Sequence, residues 1–355
     1  MGRKGSLVAG KIRVLIVDDS FLMRKILSDI VNSDPELEVI EKAKDGKEAL
    51  EKMLALQPDV TTLDVNLPVM DGLCVLEEAM KKQFVRVIML SAYTRGGASA
   101  TIKALELGAI DCIAKPSGEI SLDLKRLKEE ILSKIKIAAK VEGNKYTYSV
   151  PQSSGQRARE HAFKVIVIAA STGGPKAVLD VMQHMPGDLG AAILIIQHMP
   201  EGFTMSFAER ISWQSLVKTK EAEDGDELAP GKAFVAPAGS HMVLEKNAGK
   251  VLIRLNQEPR VNFVRPSADV TMVSAADIFG QDTMGVVLSG MGRDGADGAG
   301  RIKEKGGSVI IQNMETSVVW GMPKAVYDAG LADKVLPVEE VSAAIVKYAG
   351  SVAGN

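Results

Sequence analysis

Residues 12–20 read IRVLIVDDS, and the next stretch, FLMRKILSDIVN (21–32), repeats its apolar side chains at helical spacing. A β-rich run that ends on two aspartates and a serine and feeds directly into an amphipathic helix is a strand–turn–helix unit with ligand-type side chains at its turn. The unit recurs downstream. EVIEKA (38–43) precedes a helix over about 46–56, DVTTLDV (59–65) a helix near 73–81, VRVIMLSA (85–92) a helix near 99–107, and AIDCIA (109–114) a helix over 121–140. Strict β/α alternation predicts an N-terminal (βα)5 domain with a parallel sheet, spanning residues 11–140.

Residues 141–162 lose this periodicity and gather Gly, Pro, Ser, Gln and charge, the composition of a surface linker. A second alternation begins at FKVIVIAAS (163–171). It continues through AAILIIQH (191–198), GKAFVAPAG (231–239), VLIRLN (251–256), TMGVVLSG (283–290), GSVIIQN (307–313) and ADKVLPV (332–338). This predicts a second α/β domain over 163–350, doubly wound on a mostly parallel sheet.

Composition agrees with two packed domains. The 355 residues are 46% hydrophobic, which excludes a disordered tail, and 43 basic against 45 acidic side chains leave a formal charge of -2. That balance gives no global attraction to nucleic acid. Cys74 and Cys112 cannot make a disulfide framework, and both are expected to be buried small hydrophobes. No apolar run reaches the roughly 18 residues of a membrane span. The start, MGRKGSLVAG, is too short and too weakly hydrophobic for a signal peptide. The expectation is a cytoplasmic monomer with no membrane insertion.

In a parallel sheet, ligands collect at the carboxyl ends of the strands. Asp18 and Asp19 follow the first strand, Asp64 the third, Ser91 the fourth and Lys115, with Pro116, the fifth. Clustered carboxylates repel one another unless a cation sits among them, and an all-oxygen set suits Mg2+. Asp64 facing Lys115 is the best candidate to receive a phosphoryl group as an acyl phosphate. Taken singly, each aspartate also reads as a helix cap or a loop end.

The second domain carries a different set. VIVIAASTGGP (165–175) sets Ser171 on a small-residue turn between strand and helix, where backbone N–H groups can face a developing anion. A capping serine would look much the same, and Ala169 stands where a G-x-S-x-G elbow has its first glycine. His198 closes the next strand and can take the hydroxyl proton; Asp294, in VVLSGMGRDGADG (286–298), is the natural carboxylate to orient it. The order Ser, His, Asp differs from that of the common α/β-hydrolases. Backbone N–H groups near Thr172 and Met291 are the oxyanion candidates, with plain packing the alternative for Met291. Glycines 173, 174, 290, 292, 295 and 298 permit tight loops there. His241, after APAGS, reads as structural or substrate-edge; His184, in a helical stretch, and His161, in the linker, receive no catalytic task.

VDDSFLMRKIL, LDVNLPVMDGL, Ser91 and the Lys115-Pro116 pair resemble the receiver domain of two-component response regulators. STGGP around Ser171, QHMP around His198, APAGSH ending at His241 and SGMGRDGADG around Asp294 resemble the catalytic domain of chemotaxis protein-glutamate methylesterases, in which the two domains occur in this order. The resemblance implies that Asp64 is the phospho-acceptor, that Asp18, Asp19 and Asp64 hold Mg2+, and that Ser91 and Lys115 meet the phosphoryl oxygens. It makes Ser171 the nucleophile, His198 the general base and Asp294 its orienter, hydrolysing glutamate γ-methyl esters on chemoreceptors and deamidating specific receptor glutamines, with no cofactor for the hydrolysis. A chemotaxis histidine kinase would be the phosphoryl donor, and the unphosphorylated receiver would cover the catalytic rim. Three departures stand out: Leu67 where receivers usually have Met, Cys112 where they usually place a switching aromatic, and Ala169 where the esterases commonly have glycine. The competing readings are a non-catalytic protein-binding output domain, a transcription regulator, for which no helix-turn-helix is evident, and a phospho-regulated serine amidase with another substrate.

Overall fold

The computed structural model of the chain describes residues 10–92, 94–115, 120–142 and 163–350. Apart from Val141 and Glu142, the expected linker lies outside the described residues, as do His161 and Pro116. The chain divides into two compact units, Met1–Gly143 and Asn144–Asn355.

The first unit alternates β1 (Ile12–Val17), α1 (Phe21–Asn32), β2 (Leu37–Ala43), α2 (Gly46–Leu56), β3 (Val60–Asp64), α3 (Gly72–Lys82), β4 (Val87–Ser91), α4 (Arg95–Glu106), β5 (Asp111–Ala114) and α5 (Ile120–Ala138). The sheet order is β2-β1-β3-β4-β5, parallel throughout. β3 and β4 are buried along their whole length because helices cover both faces. Side-chain caps start the helices: Ser20, Asp45, Asp71 and Thr94 each accept a first-turn N–H, in α1 to α4 respectively. Such a cap contributes about 1 kcal/mol. The strand order reverses between β1 and β3, which opens a crevice at their carboxyl ends, where Asp18, Asp19 and Asp64 stand.

Cys112 is buried in β5, and burial pushes its thiol up to about 12. Cys74, expected inside, is exposed. In α3 the inward stripe is Val75, Leu76 and Ala79, so Cys74 falls on the solvent side of the first turn, its Sγ 3.5 Å from Asp71 Oδ2.

The second unit continues with β6 (Lys164–Ala170), α6 (Gly174–Met182), β7 (Ala191–Gln197), α7 (Thr204–Gln214), β8 (Lys218–Glu221), β9 (Lys232–Val235), β10 (His241–Asn247) and β11 (Lys250–Asn256). It closes with α8 (Ala268–Phe279), β12 (Thr283–Val287), α9 (Ala296–Glu304), β13 (Ser308–Gln312), α10 (Met322–Asp328), β14 (Lys334–Leu336) and α11 (Val338–Ala349). Seven strands form one sheet in the order β14-β13-β12-β6-β7-β9-β8, every pair parallel. β6 and β7 are its buried centre, and Val165, Val167, Leu194 and Ile196 pack one face against Met272 and Ala275 of α8.

The chain enters this sheet at β6, builds outward through β7, and returns on the other side at β12. The switch point therefore lies between β6 and β12, at the residue after Ala170. Three details differ from the sequence reading. VLIRLN does not join the sheet; it pairs antiparallel with β10 as a separate hairpin, closed by the positive-φ turn Ala248–Gly249. Another is β8, KTKE, a short and polar edge strand without the apolar alternation that would announce it. α6 also ends at Met182, so His184 lies just beyond it, its Nδ1 2.8 Å from Asp180 O.

Candidate functional site

At the rim of the first sheet, Asp18, Asp19 and Asp64 each offer a carboxylate oxygen, and these atoms lie within 4.8 Å of one another. Asp18 and Asp64 are buried, whereas Asp19 is exposed. Lys115 Nζ stands 2.7 Å from Asp18 Oδ2 and 2.8 Å from Asp64 Oδ2. Burial pushes the Asp64 carboxyl up from its ordinary value against the pull of Lys115. Burial also works against the Lys115 ammonium, yet its contacts with Asp18 and Asp64 leave it raised. Asp18 Oδ2 is already held by the Lys115 ammonium, and the fit to a hard divalent cation rests on the donor set itself, three carboxylates that each bring an oxygen to one place. Ser91 is fully buried at the end of β4, one position past the rung that pairs Asp64 with Leu90; its Oγ reaches Ala92 O at 3.5 Å.

The second rim is built on the parallel ladder. Ala170 pairs with Gln197, and His198 N donates to Ala170 O at 3.0 Å, so Ser171 and His198 leave adjacent strands side by side. On the opposite flank, Ser171 N donates to Ser289 O at 3.0 Å beyond the end of β12. Gln197, which the sequence reading passed over, fastens the pair: its Nε2 donates to Ser171 O at 2.9 Å and to His198 O at 3.1 Å. Ser289 Oγ donates to Thr172 O at 2.8 Å and holds the turn from below. Close packing explains one glycine here. A Cβ on Gly290 would lie 2.3 Å from Met322 Sδ and 3.0 Å from Ser171 Cβ.

His198 Nε2 lies 2.8 Å from Asp294 Oδ2. Nε2–H is therefore the donor, and Nδ1 keeps the lone pair a base requires. Ser171 Oγ makes no hydrogen bond with another described residue. That is common before substrate closes the site. Thr172 is buried, and Met291 is 48% exposed.

Asp294 is the most heavily bonded group of the rim. Ala268 N donates to its Oδ2 at 2.7 Å; Ser267 Oγ at 2.5 Å, Asn262 Nδ2 at 3.3 Å and Asp269 N at 3.3 Å donate to its Oδ1. It thereby caps α8, the positive end of a helix dipole. Burial opposes ionisation, yet the hydrogen bonds from His198, Ser267 and Ala268 hold this carboxyl well below its ordinary value. Asp269 returns the favour to α9: its Oδ1 accepts Gly295 N at 2.9 Å and Gly298 N at 2.7 Å. Burial, and then the neighbouring Asp294 charge, push Asp269 up against the Gly298 N–H. Two buried carboxylates thus cross-cap two helices and fix each other's position. His241 extends the frame from β10. It is fully buried, with Nε2 3.1 Å from Pro259 O and Nδ1 accepting Ser267 N at 3.2 Å, so its ring nitrogens serve backbone rather than substrate.

Removing one cap tests this frame. Asp269→Ala is expected to cost about 2 kcal/mol, from a lost cap and two buried N–H groups left unpaired, and to lower kcat because Gly295 directly follows Asp294. Thermal unfolding together with ester-hydrolysis kinetics measures both; an unchanged melting temperature would contradict the cross-capping.

Among the described residues, no helix is long and apolar enough to cross a membrane. Comparison with known proteins gives matches along the chain. The family profile described as "CheB methylesterase" matches residues 166–345, and "Response regulator receiver domain" matches residues 14–126. The protein-glutamate methylesterase/protein-glutamine glutaminase of Pyrococcus horikoshii is 49% identical over 355 residues, covering 98% of this chain and 96% of that protein. Its counterpart in Thermotoga maritima is 42% identical over 345 residues, covering 95% and 98%. The crystal structure of the Thermotoga maritima CheB methylesterase catalytic domain matches with a TM-score of 0.52 and 42% identity, over 52% of this chain and 98% of that one.

Proposed function

The chain belongs to the CheB-type chemotaxis methylesterases, with an N-terminal response-regulator receiver domain and a C-terminal methylesterase domain, and from that premise we propose how its own residues do the work. The enzyme is a protein-glutamate methylesterase/glutaminase acting on chemoreceptor-type substrates. Ser171 Oγ attacks the γ-carbonyl of a methylated receptor glutamate. His198 takes the hydroxyl proton on Nδ1 while Asp294 accepts Nε2–H and stabilises the imidazolium, a form of base catalysis that contributes typically about 10²–10⁴-fold. Backbone N–H groups of Thr172 and Met291 receive the oxyanion. The tetrahedral adduct collapses to a glutamyl-Ser171 ester as the proton on His198 passes to the departing methoxide, releasing methanol. Water, deprotonated by His198, then attacks the acyl carbon, and the proton returns to Ser171 Oγ. For a glutamine the leaving group is ammonia, which cannot depart as the amide ion and must be protonated first, whereas methoxide is the better leaving group, so the same site favours the ester. The observation that carries this reading is the His198–Asp294 hydrogen bond, made by residues that follow β7 and β12, the two strands flanking β6, which Ser171 follows.

The first unit is the control element. Asp64 accepts a phosphoryl group from a chemotaxis histidine kinase, its carboxylate oxygen displacing the donor to form an acyl phosphate. Asp18, Asp19 and Asp64 would hold Mg2+, which when bound neutralises charge on the phosphoryl oxygens. The Lys115 ammonium pairs with a phosphoryl oxygen, and Ser91 Oγ reports the modification. With a buried thiol at Cys112 in place of a swinging aromatic ring, the signal is relayed by a different rearrangement. Phosphorylation stimulates ester hydrolysis by a population shift of about 1–3 kcal/mol. The protein works in the cytoplasm, where receptor tails and kinase reside.

The test is methanol release from methylated chemoreceptor cytoplasmic fragments with and without a small acyl-phosphate donor and Mg2+. The parent is expected to be stimulated about 10-fold and Asp64→Asn not at all. Equal stimulation of the two would refute Asp64 as the acceptor; no release by any form would favour a binding-only output domain or another substrate.

A further inference from the structure

Between the β10–β11 hairpin and α8 lies a turn, Val261-Asn262-Phe263-Val264, that the catalytic roles above do not use. Val264 N donates to Val261 O at 3.0 Å, and both central residues have positive φ, 52° at Asn262 and 65° at Phe263. This is the sign pattern of the mirror-image two-residue turn, whose favoured sequence is Asn-Gly. Asn262 occupies its usual position. Phe263 stands where glycine belongs, in a backbone region that bulky residues rarely adopt.

Nothing inside the fold rewards that choice: the Phe263 ring is 94% exposed. The turn nevertheless is firmly seated. Asn262 Nδ2 donates to Asp269 Oδ2 at 2.6 Å and to Asp294 Oδ1 at 3.3 Å. Arg265 Nη1 ties the base of the loop to Gln257 O at 2.8 Å and Glu258 O at 3.0 Å. A strained aromatic residue is thus held in solvent one residue away from a direct bond to the carboxylate that orients His198.

We propose that Phe263 is a substrate-docking residue, presented by this turn to the apolar face of the receptor helix that carries the scissile glutamyl ester. The ring, exposed on a turn bonded to Asp294, is placed to meet the protein surface that brings a scissile ester to Ser171. The partner presented to this rim is the protein substrate, whose methylated glutamate is neutral and ends in a methyl group. Aromatic residues anchored on rigid supports carry a disproportionate share of interface free energy. The inference rests on the proposed methylesterase reading and adds the residue that distinguishes a receptor helix from a small ester.

The test compares the full-length parent, Phe263→Gly and Phe263→Leu on two substrates, a methylated receptor cytoplasmic fragment and N-acetylglutamate γ-methyl ester. Phe263→Gly restores Asn-Gly to the turn and is expected to fold at least as stably as the parent. The ratio of kcat/KM for the fragment to that for the small ester is expected to fall about tenfold in Phe263→Gly, the loss residing in KM, and to recover partly in Phe263→Leu. A ratio equal to the parent's in Phe263→Gly would overturn the inference while leaving the esterase reading intact. A parent that releases no methanol from the fragment would overturn both.

Discussion

Asp294→Asn is expected to lower kcat for ester hydrolysis about 10⁴-fold, the scale seen when a triad carboxylate becomes an amide. Five donors converge on Asp294: His198 Nε2 and Ala268 N face Oδ2, while Ser267 Oγ, Asn262 Nδ2 and Asp269 N face Oδ1. An amide NH2 must oppose one of these sets whichever way it turns. Turned toward His198, it forces the ring to move its proton to Nδ1 and removes the base's lone pair. Turned toward Oδ1, it confronts the start of α8. The unpaired donors are expected to cost a further 1–3 kcal/mol or about that in stability, so the melting temperature should fall together with kcat.

The pH dependence of that stability difference has a fixed sign. The Asp294 carboxyl is held below its unfolded value, opposed by burial but outweighed by its donors. Its contribution is therefore fully present above the unfolded value of about 3.9 and is lost as pH falls from there toward the folded value. The gap in stability between parent and Asp294→Asn should be widest near neutrality and narrow under acid. A gap that widens below pH ~4 would mean that the carboxylate is not stabilised as described.

Much of this architecture is legible in the sequence because both sheets are parallel. Buried parallel strands write themselves as apolar runs, and their carboxyl ends are where polar residues interrupt. IRVLIV before Asp18, VIVIAA before Ser171 and AAILIIQ before His198 are of this kind. The edge strand at 218–221 is invisible for the opposite reason: KTKE carries neither a core face nor a β-branched run. VLIRLN has a strand's composition, but its partner is chosen by the turn at Ala248–Gly249, a local feature that apolar patterning does not report.

The candidate site divides in the same way. Ser171, His198 and Asp294 sit in glycine-bearing or strand-end segments that draw attention, and the structure brings His198 and Asp294 into contact. The residues that hold Asp294 in place, Asn262, Ser267 and Asp269, lie 25 or more positions earlier in the chain. Ser267 followed by Asp269 marks a helix start, yet nothing in that signal says which distant carboxylate the helix will meet. Cys74 shows the limit of local hydropathy, since an apolar neighbourhood places a residue on a helix without saying on which face.

Ser171→Ala carries the largest effect, a loss on the order of 10⁴–10⁶-fold in kcat, and it separates chemistry from folding. The backbone of Ser171 is what the structure holds, through Ser289 O, Gln197 Nε2 and Gly174 N, and alanine keeps all three bonds. The most direct measurement is methanol release from a methylated chemoreceptor cytoplasmic fragment by the full-length, phosphorylated protein, parent beside Ser171→Ala, with melting temperatures recorded for both. The account predicts equal melting temperatures, steady release by the parent and release slowed at least about 10⁴-fold by the variant; methanol release by Ser171→Ala at the parent's rate would contradict it.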